Sequence, residues 1–211
     1  MTPFRPDTPA PSLALDDIAL PPYAGIAMAD VRMVKSDQDA AAALASLQAM
    51  DVIGFDTESK PTFLKGEVST GPHLVQLATD STAWLFQIGA QPPTEAIQNV
   101  LKTILESRDI LKVGFGLADD IKRLRAKLGI DTAHVVDLAT AMKQKSERNT
   151  LGAKTAVARF FGQALQKSKK ITTTNWALPR LSEKQILYAA DDAHVALKLY
   201  RHWQADIKSR R

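Results

Sequence analysis

Two strand-length apolar runs constrain the fold of this 211-residue chain more than any other feature. They are Val52-Ile53-Gly54-Phe55 and Ile110–Val113. Each is too short for a helix, each is bounded by polar residues, and each reads as a buried central strand. Helical patterns separate them. Ser36-Asp37-Gln38-Asp39 opens an Ala-rich stretch to Met50, with acids and a hydroxyl placed to accept the free N–H groups of a first turn. Thr94–Ser107 places Ile97, Val100, Leu101, Ile104 and Leu105 on one stripe. His73–Thr79 and Thr82–Ile88 alternate apolar and polar residues across Asp80-Ser81, as a hairpin does. Helix is also expected over Asp119–Leu128, closed by Gly129, over Thr150–Phe161, and over Ser182–Trp203, where Ser182 and Gln185 are spaced as a capping box. His134–Val136 reads as one more short strand. This alternation predicts an α/β domain.

Residues 1–25 contain six of the eleven prolines, which excludes a regular helix or central strand there. They are expected to form a flexible Pro-rich arm, leaving 26–211 as the domain. The N-terminus lacks the continuous apolar stretch of a secretory signal. No run approaches the 18 to 20 apolar residues, roughly, of a membrane span. An intracellular, cytoplasmic protein without a membrane partner is expected.

The chain has no cysteine, which excludes disulfide scaffolds, Cys-ligated zinc or iron–sulfur centres and thiol nucleophiles. Its net charge of +4 conceals an asymmetry: residues 151–211 hold 12 Lys/Arg and 4 Asp/Glu, while 1–150 are net acidic. A basic C-terminal region can neutralise phosphates, although a solvated helix surface has the same composition.

The chemistry-bearing residues are carboxylates at element ends. Asp56 and Glu58 follow the first strand at i and i+2, which puts them on one face. Two like charges side by side call for a cation, and hard oxygen donors suit Mg²⁺ or Mn²⁺. Two solvated loop acids are the plain alternative. Asp119-Asp120 open a helix after a Gly-containing turn, where the helix dipole favours acids and capping explains one of them. Tyr188 and Asp192 lie one turn apart on a helix face, with small Ala189 and Ala190 between them. Asp191 sits about 100° round the helix from Asp192, so one of the two is expected to face away. A two-metal phosphoryl site needs such a set of separated acids.

Together these motifs resemble the DnaQ-like (DEDD) superfamily of 3′–5′ exonucleases in its tyrosine-containing DEDDy branch. The resembling stretches are Val52-Ile-Gly-Phe-Asp56-Thr-Glu58, Val113-Gly-Phe-Gly-Leu-Ala-Asp-Asp120 and Leu187-Tyr188-Ala-Ala-Asp-Asp192. His73-Leu-Val-Gln-Leu77 and Asn175-Trp176 look most like ribonuclease D and Werner-type exonuclease domains. The family pattern selects Asp120 over Asp119, and Asp192 over Asp191.

The resemblance implies a ribonuclease H-like fold, with a mixed sheet of about five strands flanked by helices. It also implies hydrolysis of terminal phosphodiesters of single-stranded DNA or RNA ends to nucleoside 5′-monophosphates. By resemblance, Asp56 would bridge two divalent cations, Mg²⁺ or Mn²⁺. Glu58 and Asp192 would complete the shell of one, Asp120 would hold the other, and Tyr188 would orient the nucleophile. Thr57, Lys122, Lys167, Lys169 and Arg180 are candidate nucleic-acid contacts, and each of the basic ones could equally serve solubility alone. Thr172 could donate to phosphates or simply belong to the loop. Phe55 is expected in the core, Trp84 and Trp176 either packed or stacked on a base, and His134 and His194 outside the ligand set. A phosphodiesterase for short oligonucleotides and an inactive nucleic-acid-binding module are the alternative readings; the second would predict loss of a site residue, and all five are present. No helicase-like segment is read in the chain, so unwinding would come from a helicase in trans.

Overall fold

The structure, a computed structural model, describes residues 20–63, 66–89, 92–144 and 147–209. Within it the strands are β1 (Val31–Val34), β2 (Val52–Glu58), β3 (Leu74–Ala78), β4 (Ala83–Gln87), β5 (Leu111–Gly114) and β6 (Val135–Asp137). The helices are α1 (Asp37–Gln48), α2 (Glu95–Glu106), α3 (Ala118–Leu128), α4 (Leu138–Ala141), α5 (Ala153–Phe161), α6 (Lys169–Thr172) and α7 (Glu183–Ser209).

The strands form one mixed sheet in the order β1-β4-β3-β2-β5-β6. The hairpin β3–β4 and the β2–β3 pair are antiparallel, whereas β1–β4, β2–β5 and β5–β6 are parallel. The sheet has six strands where about five were expected. The addition is β1, whose four residues include Arg32 and alternate little, so its edge position beside β4 is set by pairing rather than by sequence pattern.

The two faces of the sheet have different covers. Ile53, Phe55, Val75, Leu77 and Phe86 are buried with Leu47 of α1 and Ile97, Leu101 and Ile104 of α2. Leu74, Ala78, Ala83 and Leu85 are buried with Ala189, Ala190 and Ala193 of α7. Each fully buried Leu, Ile or Phe contributes roughly 1.5–3 kcal/mol of transfer free energy, so the strands read as near-continuous apolar runs. Among the described residues no helix is long and apolar enough to cross a membrane.

Local signals set most boundaries. Ser36 and Asp39 form a reciprocal capping box at α1, and Ser182 with Gln185 do so at α7. Gly129 closes α3 in the left-handed region at φ 65°. Helix α5 begins at Ala153 rather than Thr150, because Gly152 takes the extended N-cap conformation.

Residues 1–19 lie outside the described residues. Pro21–Tyr23, however, pair with the backbone of Ala164, through Ala164 N–H to Pro21 O at 2.8 Å and Tyr23 N–H to Ala164 O at 3.0 Å. Ile26 N–H donates to Asp191 Oδ1 at 2.7 Å. Prolines cost these residues a regular element, but their carbonyls still accept, so residues 21–25 pack on the domain.

Candidate active site

Strand β2 sets the site. Its alternation puts Ile53 and Phe55 into one core and Gly54, Asp56 and Glu58 on the opposite face, the face covered by α7. Gly54 lets that helix come close: a Cβ there would stand 1.9 Å from the carbonyl oxygen of Ala193. The close approach carries Tyr188 and Asp192 of α7 over the end of β2.

Asp120 arrives by another route. Strand β5 runs beside β2, and the chain turns at Gly116 in the left-handed region (φ 72°), where glycine has no Cβ penalty. Asp137 at the end of β6 holds this turn, its carboxylate accepting from Gly116 N–H at 2.9 Å and Leu117 N–H at 3.1 Å. Helix α3 therefore starts with Asp120 facing the end of β2, where it accepts a hydrogen bond from the Thr57 hydroxyl. Asp119 points out and pairs with Lys122 at the surface.

The electrostatics are those of an under-compensated acid cluster. Burial, then the charges of Asp192 and Asp120, push the Asp56 carboxyl well above the usual carboxylate range. Burial and the neighbouring carboxylates push Glu58 up to about 9. Burial raises Asp120 and Asp192 as well, against the hydrogen bond of Thr57 on the first and the ammonium of Lys167 on the second. Tyr188 is pushed up to about 12 by burial and by the charge of Asp192. Its hydroxyl also shares a hydrogen bond with Thr172 Oγ1 at 2.9 Å, and its ring packs 6.1 Å from that of Trp176. Thr172 thus serves the tyrosine rather than standing free, and Trp176 is fully buried instead of open to a base.

Asp56, Glu58, Asp120, Tyr188 and Asp192 are thereby brought to one end of the sheet. Phe55 and Trp84 are core residues, and His194 is buried with Nε2 on the carbonyl of Asp80. Asp191 turns away from the cluster and accepts from Ile26 N–H at 2.7 Å. Of the candidate nucleic-acid contacts, Thr57 is buried against Asp120 and Lys122 is exposed. Arg180 is exposed in a groove with Lys35, Gln87 and Thr94, which shares no residue with the carboxylates. Lys167 does not lie free on the surface; its Nζ is 2.7 Å from Asp192 Oδ1. Lys169 opens α6, and its side chain lies outside what the structure describes.

Two residues at the site carry no role in the sequence pattern. Gln76 sits opposite Asp56 in the β2–β3 register, fully buried, with both ends of its amide unpaired among the described residues. Asp137 supports the α3 turn. A polar residue inside the apolar Leu74–Ala78 run is the signal that marks Gln76; only tertiary contact marks Asp137.

The donor set is all carboxylate oxygen, which suits a hard divalent cation. Among the described residues no three Asp, Glu or His groups are drawn together closely enough to hold an ion. The chemistry of the cluster fits the cation, and Lys167 occupies one of its donors.

The 3′-5′ exonuclease family profile matches residues 31–208. The chain belongs to that family. It is 30% identical over 152 residues to the mouse bifunctional 3′-5′ exonuclease/ATP-dependent helicase WRN, covering 72% of this chain and 11% of WRN. It is 29% identical over 154 residues to a 3′-5′ exonuclease of Arabidopsis thaliana, covering 71% and 51%. The chain thus spans about half or less of the length of these relatives.

Among solved structures, the Nibbler EXO domain of Aedes aegypti superposes with a TM-score of 0.74 at 24% identity, covering 88% of this chain and 92% of that one. Trypanosoma brucei RNase D in complex with RNA U12 gives 0.71 at 22%, covering 82% and 61%. These likenesses establish the α/β, ribonuclease H-like fold.

Proposed function

We propose that this chain is a metal-dependent 3′–5′ exonuclease that removes nucleoside 5′-monophosphates from single-stranded ends of DNA or RNA. The observation that carries this reading is the convergence of four carboxylates and a phenol, from β2, α3 and α7, at one end of the sheet.

Two divalent ions, Mg²⁺ or Mn²⁺, would supply Lewis-acid activation of water and of the phosphodiester. Buried Asp192 and half-buried Asp56 would be among their ligands, Glu58 would complete one shell, and Asp120 would serve the other. Thr57 fixes the carboxylate of Asp120. Tyr188 remains a phenol at neutral pH, so it donates a hydrogen bond and orients the attacking water rather than removing its proton. Without cations the cluster would repel a phosphodiester, which makes the reaction strictly metal-dependent.

The strand end must be single-stranded to bring its terminal phosphate to carboxylates this buried. Lys122, Lys169 and Arg180 are the cations proposed to guide the backbone. Phe63, largely exposed in the loop after Glu58, offers an apolar face to a base. A helicase acting in trans would supply such ends from duplexes.

The deciding experiment incubates end-labelled DNA and RNA strands with the protein and Mg²⁺, Mn²⁺ or EDTA. The expected result is a metal-dependent ladder shrinking from the 3′ end, lost in Asp56→Ala and Asp192→Ala. Cleavage insensitive to both substitutions overturns the assignment of the site. Degradation of di- and trinucleotides alone assigns the chain to short-oligonucleotide hydrolysis instead.

A further inference from the structure

Lys167 stands where a site built for metal would be expected to hold no protein cation. It lies in the segment between α5 and α6, outside the three acidic motifs. Its Nζ is 2.7 Å from Asp192 Oδ1, and its side chain is 27% exposed against 6% for Asp192. The ammonium also lies 5.7 Å from the centroid of the Tyr188 ring. Its charge acts on Asp56, Glu58 and Asp191 as well as on Asp192.

The backbone that delivers this side chain is tied down. Ala164 is paired with Pro21 and Tyr23, and Lys167 N–H donates to Leu165 O at 3.1 Å. A lysine stem on a fixed backbone can still rotate about its own bonds, so the contact is reversible although its base is not.

A monovalent ammonium neutralises one carboxylate, and a divalent ion neutralises more while accepting several oxygen ligands. Both cannot hold the same lone pairs of Asp192. We propose that Lys167 is a built-in counter-cation: it occupies Asp192 in the metal-free protein, yields it to a divalent ion, and so sets the affinity of the site for metal. The proposal rests on the exonuclease reading of the carboxylate cluster. Lys167 thereby offsets the repulsion that one buried and three half-buried acids impose on the fold until metal is loaded. Once displaced, the ammonium remains beside the site, where the substrate phosphate arrives.

Calorimetric titration of Mn²⁺ and Mg²⁺ into the wild-type protein, Lys167→Met and Lys167→Gln tests this directly, with no substrate present. The neutral variants are expected to bind Mn²⁺ about tenfold more tightly, a change of about 1.4 kcal/mol, and to melt at lower temperature than wild type in EDTA. Two neutral side chains of different polarity guard against one failing to fold. An unchanged or weaker affinity in both variants overturns the proposal. So does an unchanged metal affinity with a raised KM for an oligonucleotide, which would make Lys167 a phosphate contact only. If neither the wild type nor Asp192→Asn binds a divalent ion, the metal reading of the site fails, and the proposal with it.

Discussion

Thr57 and Asp120, 63 residues apart in the chain, share a hydrogen bond from Thr57 Oγ1 to Asp120 Oδ1 at 2.5 Å. It joins the end of β2 to the first turn of α3 and fixes the orientation of one carboxylate. Thr57→Val keeps the shape and removes the donor. A charge-assisted bond of this kind is worth about 1.5–3 kcal/mol. The expected result is a fall in kcat of about tenfold or more, with Thr57→Ser close to wild type. Equal activity of Thr57→Val and wild type in steady-state assays would show that Asp120 is oriented by other means.

The tandem acids separate cleanly. Asp119 is exposed and holds only Lys122, at 3.3 Å, and a surface pair of this kind contributes about 0–1 kcal/mol. Asp119→Asn should leave kcat/KM within about twofold, whereas Asp120→Asn should lower kcat by at least about a hundredfold. Parallel assays of the two variants at saturating Mg²⁺ check this, and similar losses in both would contradict the placement of Asp120.

Metal removal and pH act on the same cluster. Glu58, at about 9, and Asp56, Asp120 and Asp192, all raised by burial and mutual repulsion, bind protons more tightly folded than unfolded. Their stabilising contribution is complete below the ordinary carboxylate range and is lost as pH rises toward about 9. In EDTA, melting temperature should fall between about pH 5 and pH 9, on the order of 5 °C or more. Saturating Mn²⁺ at pH 8 should restore it. A flat profile in EDTA would show that the acids are better hydrated than their burial implies.

Gly54 tests the packing that brings Tyr188 and Asp192 over β2. A methyl group there would sit 1.9 Å from Ala193 O, a backbone atom of a long helix that cannot yield alone. Gly54→Ala should destabilise the protein by about 3 kcal/mol or more, measured by denaturant unfolding. A loss below about 1 kcal/mol would mean that α7 can slide on the sheet.

Much of the fold and of the site was legible because it is written in local pattern. The β3–β4 hairpin shows in period-two alternation, α2 in its apolar stripe, α1 in its capping residues and Ala-rich body, and α7 in its capping box. Asp56 and Glu58 declare a common face by their spacing, and Tyr188 and Asp192 share a helix face for the same reason. Strand β1 was not legible, because four residues including an arginine carry too little pattern and their edge position depends on β4. Gln76 showed only as one polar residue in an apolar run.

The sequence by itself determined the α/β class, the order of the elements and which site residues share a face within one element, since these follow from periodicity, capping and spacing along one chain. The tertiary structure alone decided that Asp137 props the turn before Asp120, that Asp191 holds Ile26, and that Lys167 clasps Asp192. Each of these joins elements distant in the chain, and such contacts depend on how the loops travel over the sheet. A free lysine and a lysine buried against an acid look the same in sequence. Packing distinguishes them, by removing the water that would otherwise separate the two charges.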